Sequence, residues 1–461
     1  MFPKEVYINR RKRLAEKMSG GILLFLGNHD VPFNYPANIY PFRQDSAFAY
    51  FFGLNQPGLA AMIDVDSGEN IIFGDELTMD DIIWMGNLPT IRERAEQVGI
   101  TKVLPSVKLA EMMTEAISKS RKIHYLPPYR AEVIHWADSL LNIKYDEVRA
   151  NASKELIKAV VSLRSIKDKY EIAEIEKMVG VAYKMHTTAM KIAKPGVKEQ
   201  QITGAITGIT FGNEGPLSFP AIVTVNGQTL HNNNYGNILK EGQMLVCDAG
   251  AESYMLYASD ITRTTPVGGK FNQRQKDIYE IVLKANTEVI KSIRPNEEYR
   301  NMHLLSAKIV AQGLKDLGIM KGNIDDAVAQ GAHALFYPHG LGHMMGMDVH
   351  DLEGVGEDFV GYDNEIKRAD QFGLAFLRLG RKLQPGFVIT VEPGIYFIPE
   401  LIDMWKAEGK HTDFINYDKV ESFKDFGGIR IEDDILVTEN GCRNLSEAIP
   451  KTVADVEKMC E

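Results

Sequence analysis

Cysteine is scarce in this 461-residue sequence, and positive charge is not in excess. The three cysteines, Cys247, Cys442 and Cys460, are odd in number and widely spaced, which fits neither a disulfide framework nor a CxxC metal site. The formal net charge of -10 argues against nucleic acid or an anionic membrane as the main partner. These absences favour reduced thiols and a small-molecule or peptide ligand.

Long apolar runs are absent too. No stretch approaches the ~18 apolar residues of a membrane-spanning helix, and the start, MFPKEVYINRRKRLAEKM, lacks the apolar segment of a signal peptide. Neither internal repeats nor low-complexity tracts are visible. With 44% hydrophobic and 25% charged residues, the composition is ordinary for a globular protein. We therefore expect a cytoplasmic protein with no membrane or nucleic-acid partner.

Two patterns of secondary structure follow each other along the chain. Up to residue 160, apolar runs such as GGILLFLG and LAAMIDV alternate with helix-like segments such as LAEMMTEAISKS, which indicates an α/β unit. Two long amphipathic helices, SKELIKAVVSLRS and DKYEIAEIEKMVGVAYKMHTTAMKIA, follow this unit. The sequence thus predicts an α/β domain over residues 1–160 and a second domain over 161–461.

The second domain reads as strand-rich. Strand-like runs occur at AIVTVNG, MLVCDAG, FVITVEPGIYF and GGIRIEDDILVT, each bounded by Gly, Pro or Asn. Two further helices are predicted at about Gln273 to Ile293 and His303 to Leu317. Strands interrupted by helices indicate an α+β domain.

The stretch PHGLGHMMGMDVHD, residues 338–351, holds three of the eleven histidines, namely His339, His343 and His350. The glycines among them do not fit the GxGxxG pattern of a dinucleotide loop. The segment after them, 354–380, has few strand signals and is predicted to be a loop insertion. Each histidine taken singly is typical of a satisfied polar residue, so a metal site also requires carboxylates from elsewhere.

Four carboxylates recur in apolar strand contexts of the second domain. Asp248 closes MLVCDAG and Asp260 follows twelve residues on, so a hairpin would bring both to neighbouring strands. Glu392 ends the run FVITVEPG, where Pro and Gly break the strand, and Glu432 lies in GGIRIEDDI. A buried carboxylate must be paired or bound to metal, because desolvating an isolated charge is costly.

The charges of this set favour two metal ions over one. Four carboxylates contribute -4 and two divalent cations +4, while a neutral imidazole adds nothing. Oxygen-rich coordination with one nitrogen suits Mn²⁺, with Zn²⁺ or Co²⁺ as alternatives. Two such ions can activate a bridging water and polarise a carbonyl, which is hydrolytic chemistry. In GGIRIEDDI the strand period of two places Arg430 and Glu432 on one face and Asp433 on the other.

These motifs resemble those of the Xaa-Pro metallopeptidases of pita-bread fold, the prolidases and aminopeptidases P. The resemblance covers nearly the whole chain and rests on DAGAESYMLYASDITRTTPV, PHGLGHMMGMDVHD, LQPGFVITVEPGIYF, FGGIRIEDDILVT and, nearer the start, FRQDSAFAYFFGLNQPG. It implies an α+β pita-bread (creatinase/aminopeptidase-like) catalytic domain after an N-terminal α/β domain of ribonuclease H-like, creatinase/prolidase type. It also implies hydrolysis of proline-containing di- or oligopeptides with two divalent metal ions.

The same resemblance implies which residues hold the ions. Five positions match the family's metal ligands: Asp248, Asp260, His343, Glu392 and Glu432. Asp260 and Glu432 would bridge both ions, and Glu392 would also be the general base toward the bridging water. Arg430 matches an arginine that orients a bridging carboxylate.

Further positions match substrate contacts of the family. His231, in QTLHNNN, and His350 match the two histidines that hydrogen-bond the substrate and the developing oxyanion, and His339 belongs to the same motif on the primed side. Arg378 matches an arginine that in eukaryotic-type prolidases holds the carboxylate of the leaving proline. Trp84, in DDIIWMGN, matches a residue near the wall that one subunit lends to the active site of another. The resemblance therefore implies a homodimer or a higher homo-oligomer.

Several functions remain open from the sequence. LRLGRKLQPG and IDMWKAEGKHTDFINYDKVESFKDFGG resemble the longer prolidases and favour an Xaa-Pro dipeptidase, whereas the first domain fits an aminopeptidase P acting on longer peptides equally well. A catalytically inactive binding module of the same fold is a distant alternative. An iron oxygenase using two histidines and a carboxylate would leave Asp248, Asp260 and Glu432 unexplained. One departure from the family pattern is TLHNNN, where relatives often have tyrosine or glycine soon after the histidine.

Overall fold

The computed structural model describes residues 1–213 and 215–461, and the chain divides into two compact units. The first unit comprises Met1–Arg164 and Leu352–Phe359. The second comprises Ser165–Asp351 and Val360–Glu461. The predicted loop insertion at 354–380, all of which is described, contains short helical turns and no strand.

The first unit is built on a mixed sheet. Its strands are β1 (Ile22–Leu26), β2 (Pro32–Tyr35), β3 (Asn38–Ile39), β4 (Ala60–Asp64), β5 (Asn70–Phe73), β6 (Lys102–Leu104) and β7 (Ile123–Tyr125). Five of them form one sheet in the order β6-β5-β4-β1-β7, in which β1 is antiparallel to β4 and parallel to β7. Strands β2 and β3 pair separately as an exposed ribbon.

Helices cover both faces of this sheet. They are α1 (Lys4–Ala15), α2 (Ser46–Phe52), α3 (Met79–Met85), α4 (Ile91–Gln97), α5 (Val107–Ser118), α6 (Ala131–Leu141) and α7 (Lys154–Arg164). Leu24 of β1 packs in one core cluster with Leu109 of α5, whereas Phe25 contacts Phe51 and Phe52 of α2. Because both faces of the sheet are buried at β1, the sequence of this strand is a continuous apolar run, as predicted.

The second unit contains small sheets that contact one another. Its strands are β8 (Ile222–Thr224), β9 (Met244–Ala249), β10 (Ile261–Pro266), β11 (Val388–Val391), β12 (Gly394–Tyr396), β13 (Gly428–Arg430), β14 (Asp433–Thr438) and β15 (Gly441–Asn444). They form one sheet with the order β10-β9-β8, another with the order β11-β14-β15, and the pair β12-β13.

The helices of the second unit are more numerous than the sequence predicted. They are α8 (Lys169–Ile192), α9 (Glu199–Phe211), α10 (Gln273–Ser292), α11 (Tyr299–Asp316), α12 (Ile324–Ala329), α14 (Pro399–Ala407), α15 (Tyr417–Glu421) and α16 (Val453–Met459), and α13 (Glu357–Gly361) lies across the boundary between the units. The predicted helices at α8, α10 and α11 are confirmed, with α11 beginning four residues earlier. Helix α9 was missed because EQQITGAITGITF is rich in β-branched residues and glycine, which disfavour helix.

The run GGIRIEDDILVT was wrongly predicted as one strand. It forms β13 and β14, which lie in different sheets because β13 pairs with β12 and β14 pairs with β11. The two partners are themselves separated at Glu392 and Pro393, where proline has no N–H to donate to a ladder. The two breaks face each other, since the Ile431 amide donates to the Pro393 carbonyl at 3.3 Å. Glu392 and Glu432 therefore both lie at strand breaks.

None of the helices in the described part of the chain combines the length and apolar character needed to cross a membrane. All three cysteines are free, and Cys247 and Cys460 are buried.

Candidate metal centre and active site

A cleft of about 630 Å³ in the second unit brings together most of the residues predicted to act there. The predicted residues that line it are His231, Asp248, Asp260, His339, His343, His350, Arg378, Glu392, Arg430 and Glu432. Trp84 is not among them, because it lies on α3 in the first unit, with 87% of its surface exposed.

Two of the acids are carried by the hairpin of β9 and β10. The strands are antiparallel and pair Asp248 with Thr262, which confirms the predicted hairpin, and Asp260 directly precedes β10. The Asp260 amide donates to Asp434 Oδ2 at 3.1 Å, which fixes the backbone at this carboxylate. Both aspartates are buried.

The other two acids stand at the facing strand breaks. The Glu392 amide donates to the Leu341 carbonyl at 2.8 Å, and the Glu432 amide donates to the Thr262 carbonyl at 3.1 Å. Thr262 Oγ1 donates to Glu432 Oε2 at 2.7 Å and accepts a hydrogen bond from Arg430 Nε at 3.1 Å. Arg430 and Glu432 therefore reach the same hydroxyl.

Asp433 points to the opposite side of the strand, as its position directly after Glu432 predicts. Its carboxylate lies 2.9 Å from Arg263 Nη2 and 2.7 Å from the Ser446 hydroxyl. Lys451 Nζ completes this buried ion network at 2.5 Å from Asp433 Oδ2. The alternation predicted from the strand period is confirmed, and the network holds the backbone beside Glu432.

His343 faces the acids through one ring nitrogen. Its Nδ1 lies 3.0 Å from the Met344 carbonyl, an acceptor that assigns the proton to Nδ1 and leaves the lone pair on Nε2. Nε2 lies 3.3 Å from Asp260 Oδ2 and 3.7 Å from Glu392 Oε1. Ligand atoms of Asp260, His343 and Glu432 all lie within 4.8 Å of one another. This arrangement has the form of a metal centre.

The electrostatics of the acids fit a cation. Burial and the neighbouring carboxylates raise the pKa of Asp260 and of Glu432 well above their ordinary values. Burial also raises the pKa of Glu392 to about 7, against the opposing effects of His343 and Arg430. Asp248 Oδ1 is buried and has no hydrogen-bond partner within residues 1–213 and 215–461. Crowded buried carboxylates with one imidazole are suitable ligands for hard or borderline divalent ions.

Arg430 connects this cluster to His339 through a residue that the sequence analysis missed. Its Nη2 donates to Asp248 Oδ2 at 2.6 Å, and its Nη1 donates to the Tyr396 hydroxyl at 3.0 Å. That hydroxyl lies 2.8 Å from His339 Nε2, while His339 Nδ1 lies 2.8 Å from the Gly340 carbonyl. Burial, with the charge of Arg430, lowers the pKa of His339 to about 3, so the ring is neutral and accepts from Tyr396. Tyr396 occurs in the apolar run GIYF, where nothing distinguishes it from a core aromatic.

The remaining predicted residues stand around the acids. The His350 ring lies 4.1 Å from the His343 ring, measured between centroids. His231 lies in the loop after β8, and burial, followed by the charge of Arg430, lowers its pKa. Arg378 follows a short helical turn, Leu374–Phe376, and is partly exposed in the cleft. The cleft is therefore acidic at the cluster and is also lined by four imidazoles and two guanidinium groups.

Comparison with known families gives two matches. Residues 173–439 match the model of metallopeptidase family M24. Residues 7–125 match the N-terminal domain of aminopeptidase P.

Curated relatives are similar over nearly the full chain. An Xaa-Pro dipeptidase of Homo sapiens is 31% identical, with 99% of this chain and 93% of the relative covered. A probable Xaa-Pro aminopeptidase pepP of Aspergillus clavatus is 32% identical, with 91% of this chain and 88% of the relative covered.

Solved structures of aminopeptidase P are similar to the whole chain. The aminopeptidase PepP of Pseudomonas aeruginosa is matched with a TM-score of 0.81 at 27% identity, with 100% of this chain and 98% of that chain covered. The zinc-substituted aminopeptidase P of Escherichia coli in complex with product is matched with a TM-score of 0.80 at 28% identity, with the same coverage. The predicted fold class, a pita-bread catalytic domain after an N-terminal α/β domain, is confirmed.

Proposed function

The chain belongs to metallopeptidase family M24, and we propose that it is an Xaa-Pro dipeptidase. The family resemblance derived from the sequence motifs is confirmed, and the protein is a hydrolase of Xaa-Pro bonds that releases the N-terminal residue. The preference for dipeptides is our proposal, with an aminopeptidase P acting on longer peptides as the second candidate. The observation that carries a peptidase function is the buried cluster of Asp260, His343 and Glu432 at the base of the cleft.

Membership of the family implies the use of divalent metal. We infer that two ions are held by Asp248, Asp260, His343, Glu392 and Glu432, with Mn²⁺ the best match and Zn²⁺ or Co²⁺ as alternatives. When bound, such ions lower the pKa of a water molecule and polarise a carbonyl. The orphaned Asp248 Oδ1 and the mutual repulsion of the acids support this ligand set.

The side chains supply the proton transfer and the orientation. Glu392 would accept the proton of the attacking water, because its carboxylate lines the cleft beside the other acids. His231 and His350 line the cleft and would donate hydrogen bonds to the substrate and to the developing oxyanion. Arg430 would orient Asp248 and, through Tyr396, hold the neutral ring of His339.

Arg378 is the residue on which the choice of substrate depends. A guanidinium binds a carboxylate in a bidentate manner. The free carboxylate of an Xaa-Pro dipeptide offers this partner, whereas the proline carbonyl of a longer peptide is part of an amide. Arg378 lines the cleft, as this proposal requires.

We expect wild-type protein to prefer an Xaa-Pro dipeptide over the matching Xaa-Pro-Yaa tripeptide by roughly 10- to 150-fold in kcat/KM, because a hydrogen bond to a charged group stabilises by about 1.5 to 3 kcal/mol. The preference should disappear in Arg378→Ala. Lys382→Ala is the matched control, since Lys382 is a neighbouring cation that pairs with Glu365 at 2.8 Å on the surface. Equal or faster cleavage of the tripeptide by wild type would make the protein an aminopeptidase P.

We also propose that the protein is a homodimer or a higher homo-oligomer in which Trp84 approaches the active site of another subunit. Helix α3 supports this because its apolar side chains are exposed, namely Met79, Ile83, Trp84 and Met85, with exposures of 69%, 69%, 87% and 59%. Monomeric proteins seldom leave such a cluster in contact with water.

The free cysteines support a cytoplasmic location, which is also our proposal. The domain boundary near residue 160 is a proposal as well.

Light scattering at micromolar concentration should give at least twice the chain mass of 51.6 kDa. In Trp84→Glu the mass should fall, because a buried charge without a partner destabilises an interface. A mass of one chain for the wild type would contradict the proposed assembly.

A further inference from the structure

The loop that carries His231 is closed at both ends by one carboxylate, that of Glu199. Glu199 Oε1 accepts a hydrogen bond from the Val225 amide at 2.8 Å, at the start of the loop. Its Oε2 accepts from the Asn237 amide at 3.0 Å, at the end of the loop. The Asn237 side-chain amide adds contacts at 3.0 Å to Oε1 and 3.1 Å to Oε2. Glu199 thus joins two points of the backbone that are twelve residues apart, with His231 midway between them.

The position of Glu199 suits a side chain that accepts hydrogen bonds through both of its carboxyl oxygens. The side chain is fully buried, with 0% exposure, and it is the first residue of α9. The amides at a helix N-terminus favour a negative charge there, and hydrogen bonds to an ionised acceptor are stronger than neutral ones. Its own amide donates to the Asn237 carbonyl at 3.0 Å, so the residue holds the loop end through backbone and side chain together.

A second contact ties the residue beside His231 to the same place. Asn232 Nδ2 donates to Thr224 Oγ1 at 2.9 Å, directly before the start of the loop. The loop is therefore fixed at its ends by Glu199 and at its centre by Asn232, and His231, the residue next to Asn232, lines the cleft.

We propose that Glu199 is a positioning residue for His231. It is buried under the loop and, within the described residues, is not part of the lining of the cleft, so it acts on the substrate only through the loop. The catalytic part of this inference rests on the proposed contact between His231 and the substrate. The conformational part, that Glu199 holds the loop in place, does not.

Glu199→Gln is the informative variant because glutamine keeps the size of the side chain and replaces one acceptor oxygen by a donor. The backbone amides of Val225 and Asn237 are both hydrogen-bond donors, and the new NH₂ group cannot accept from either of them. One of the two hydrogen bonds that hold the ends of the loop is therefore lost. Hydrogen–deuterium exchange of the amides in residues 225–237 should become faster than in wild type, while exchange elsewhere in the second unit stays the same. Unchanged exchange in the loop would overturn the proposal.

A double-mutant cycle with His231→Ala tests the catalytic consequence. With His231 present, Glu199→Gln should lower kcat/KM for an Xaa-Pro substrate by roughly 10- to 100-fold, because a small displacement of a substrate contact is costly. In the His231→Ala background the same change should have an effect within about threefold, because the residue through which Glu199 acts is gone. An equal loss in both backgrounds would overturn the positioning role.

Two further variants serve as a control and as a replacement for Glu199→Gln. Thr203→Val is the matched control. The Thr203 hydroxyl donates to the Glu199 carbonyl at 3.0 Å on the same helix and, among the described residues, makes no hydrogen bond to the loop. Loop exchange and kcat/KM of this variant should match wild type. If Glu199→Gln does not fold, Asn237→Ala removes part of the closure and should accelerate exchange in the loop. Faster loop exchange in a protein whose His231→Ala variant is fully active would uphold the closure by Glu199 and reject the proposed role of His231 in catalysis.

Discussion

Glu392→Gln should lower kcat by two or more orders of magnitude in a protein that remains folded. The change removes the group that we propose as the proton acceptor, and lost general-base catalysis is worth roughly 100-fold or more. It also removes one negative charge from the cluster, where Glu392 Oε1 lies 3.7 Å from His343 Nε2. The measurement is kcat for an Xaa-Pro dipeptide, together with the metal content and the melting temperature.

Glu171→Gln is the matched control for this change. Glu171 is a buried carboxylate in the same unit that accepts a hydrogen bond from the Tyr257 hydroxyl at 3.1 Å, and it is not among the described residues that line the cleft. We expect it to lower the melting temperature and to leave kcat nearly unchanged. A Glu392→Gln protein that binds metal and keeps more than about a tenth of the wild-type kcat would contradict the assigned base, since the expected loss is at least ~100-fold.

Asp260→Asn should abolish turnover through loss of bound metal. Asp260 faces both His343 and Glu432 in the cluster, and neutralising it removes a negatively charged ligand that we propose would hold the metal. Metal per chain, measured by elemental analysis after dialysis, should fall together with kcat/KM. We expect kcat/KM to fall by several orders of magnitude, because bound metal would supply the activation of the water and the polarisation of the carbonyl.

Asp434→Asn separates this effect from a general loss of buried charge. Asp434 is also fully buried, and its Oδ2 accepts the hydrogen bond of the Asp260 amide, a contact that an asparagine oxygen can keep. The variant should therefore keep its metal and most of its activity. If Asp260→Asn bound the full amount of metal and stayed active, the ligand assignment would be wrong.

Local patterns were sufficient to predict the acids of the site. The hairpin of Asp248 and Asp260, and the alternation of Glu432 and Asp433, follow from strand periodicity and turn signals within short windows. The face on which each side chain lies can be predicted from a few neighbouring residues, because the side chains of a strand alternate between its two faces. The motifs then identified the family without any knowledge of the tertiary contacts.

Contacts between distant segments were not predictable in the same way. Tyr396 reaches His339 across 57 residues, and Thr262 reaches Glu432 across 170. A tyrosine in an apolar strand and a threonine in a hairpin have ordinary structural explanations, so only the assembled fold reveals their polar partners. Helix α9 and its Glu199 were missed for a related reason, since packing in the second unit overrides the low helix propensity of that segment.

The distances along the chain between contacting site residues also have a consequence for folding. Arg430 meets Asp248 across 182 residues, and Asp434 meets the Asp260 amide across 174. Closing such long loops is entropically unfavourable, and contacts of this kind form late compared with local hairpins and helices. During synthesis, which proceeds from the N-terminus at about 5 to 20 residues per second, the β9–β10 hairpin emerges long before its partners. The cluster of acids is therefore completed only after β13 and β14 have left the ribosome, and we expect no peptidase activity before that point.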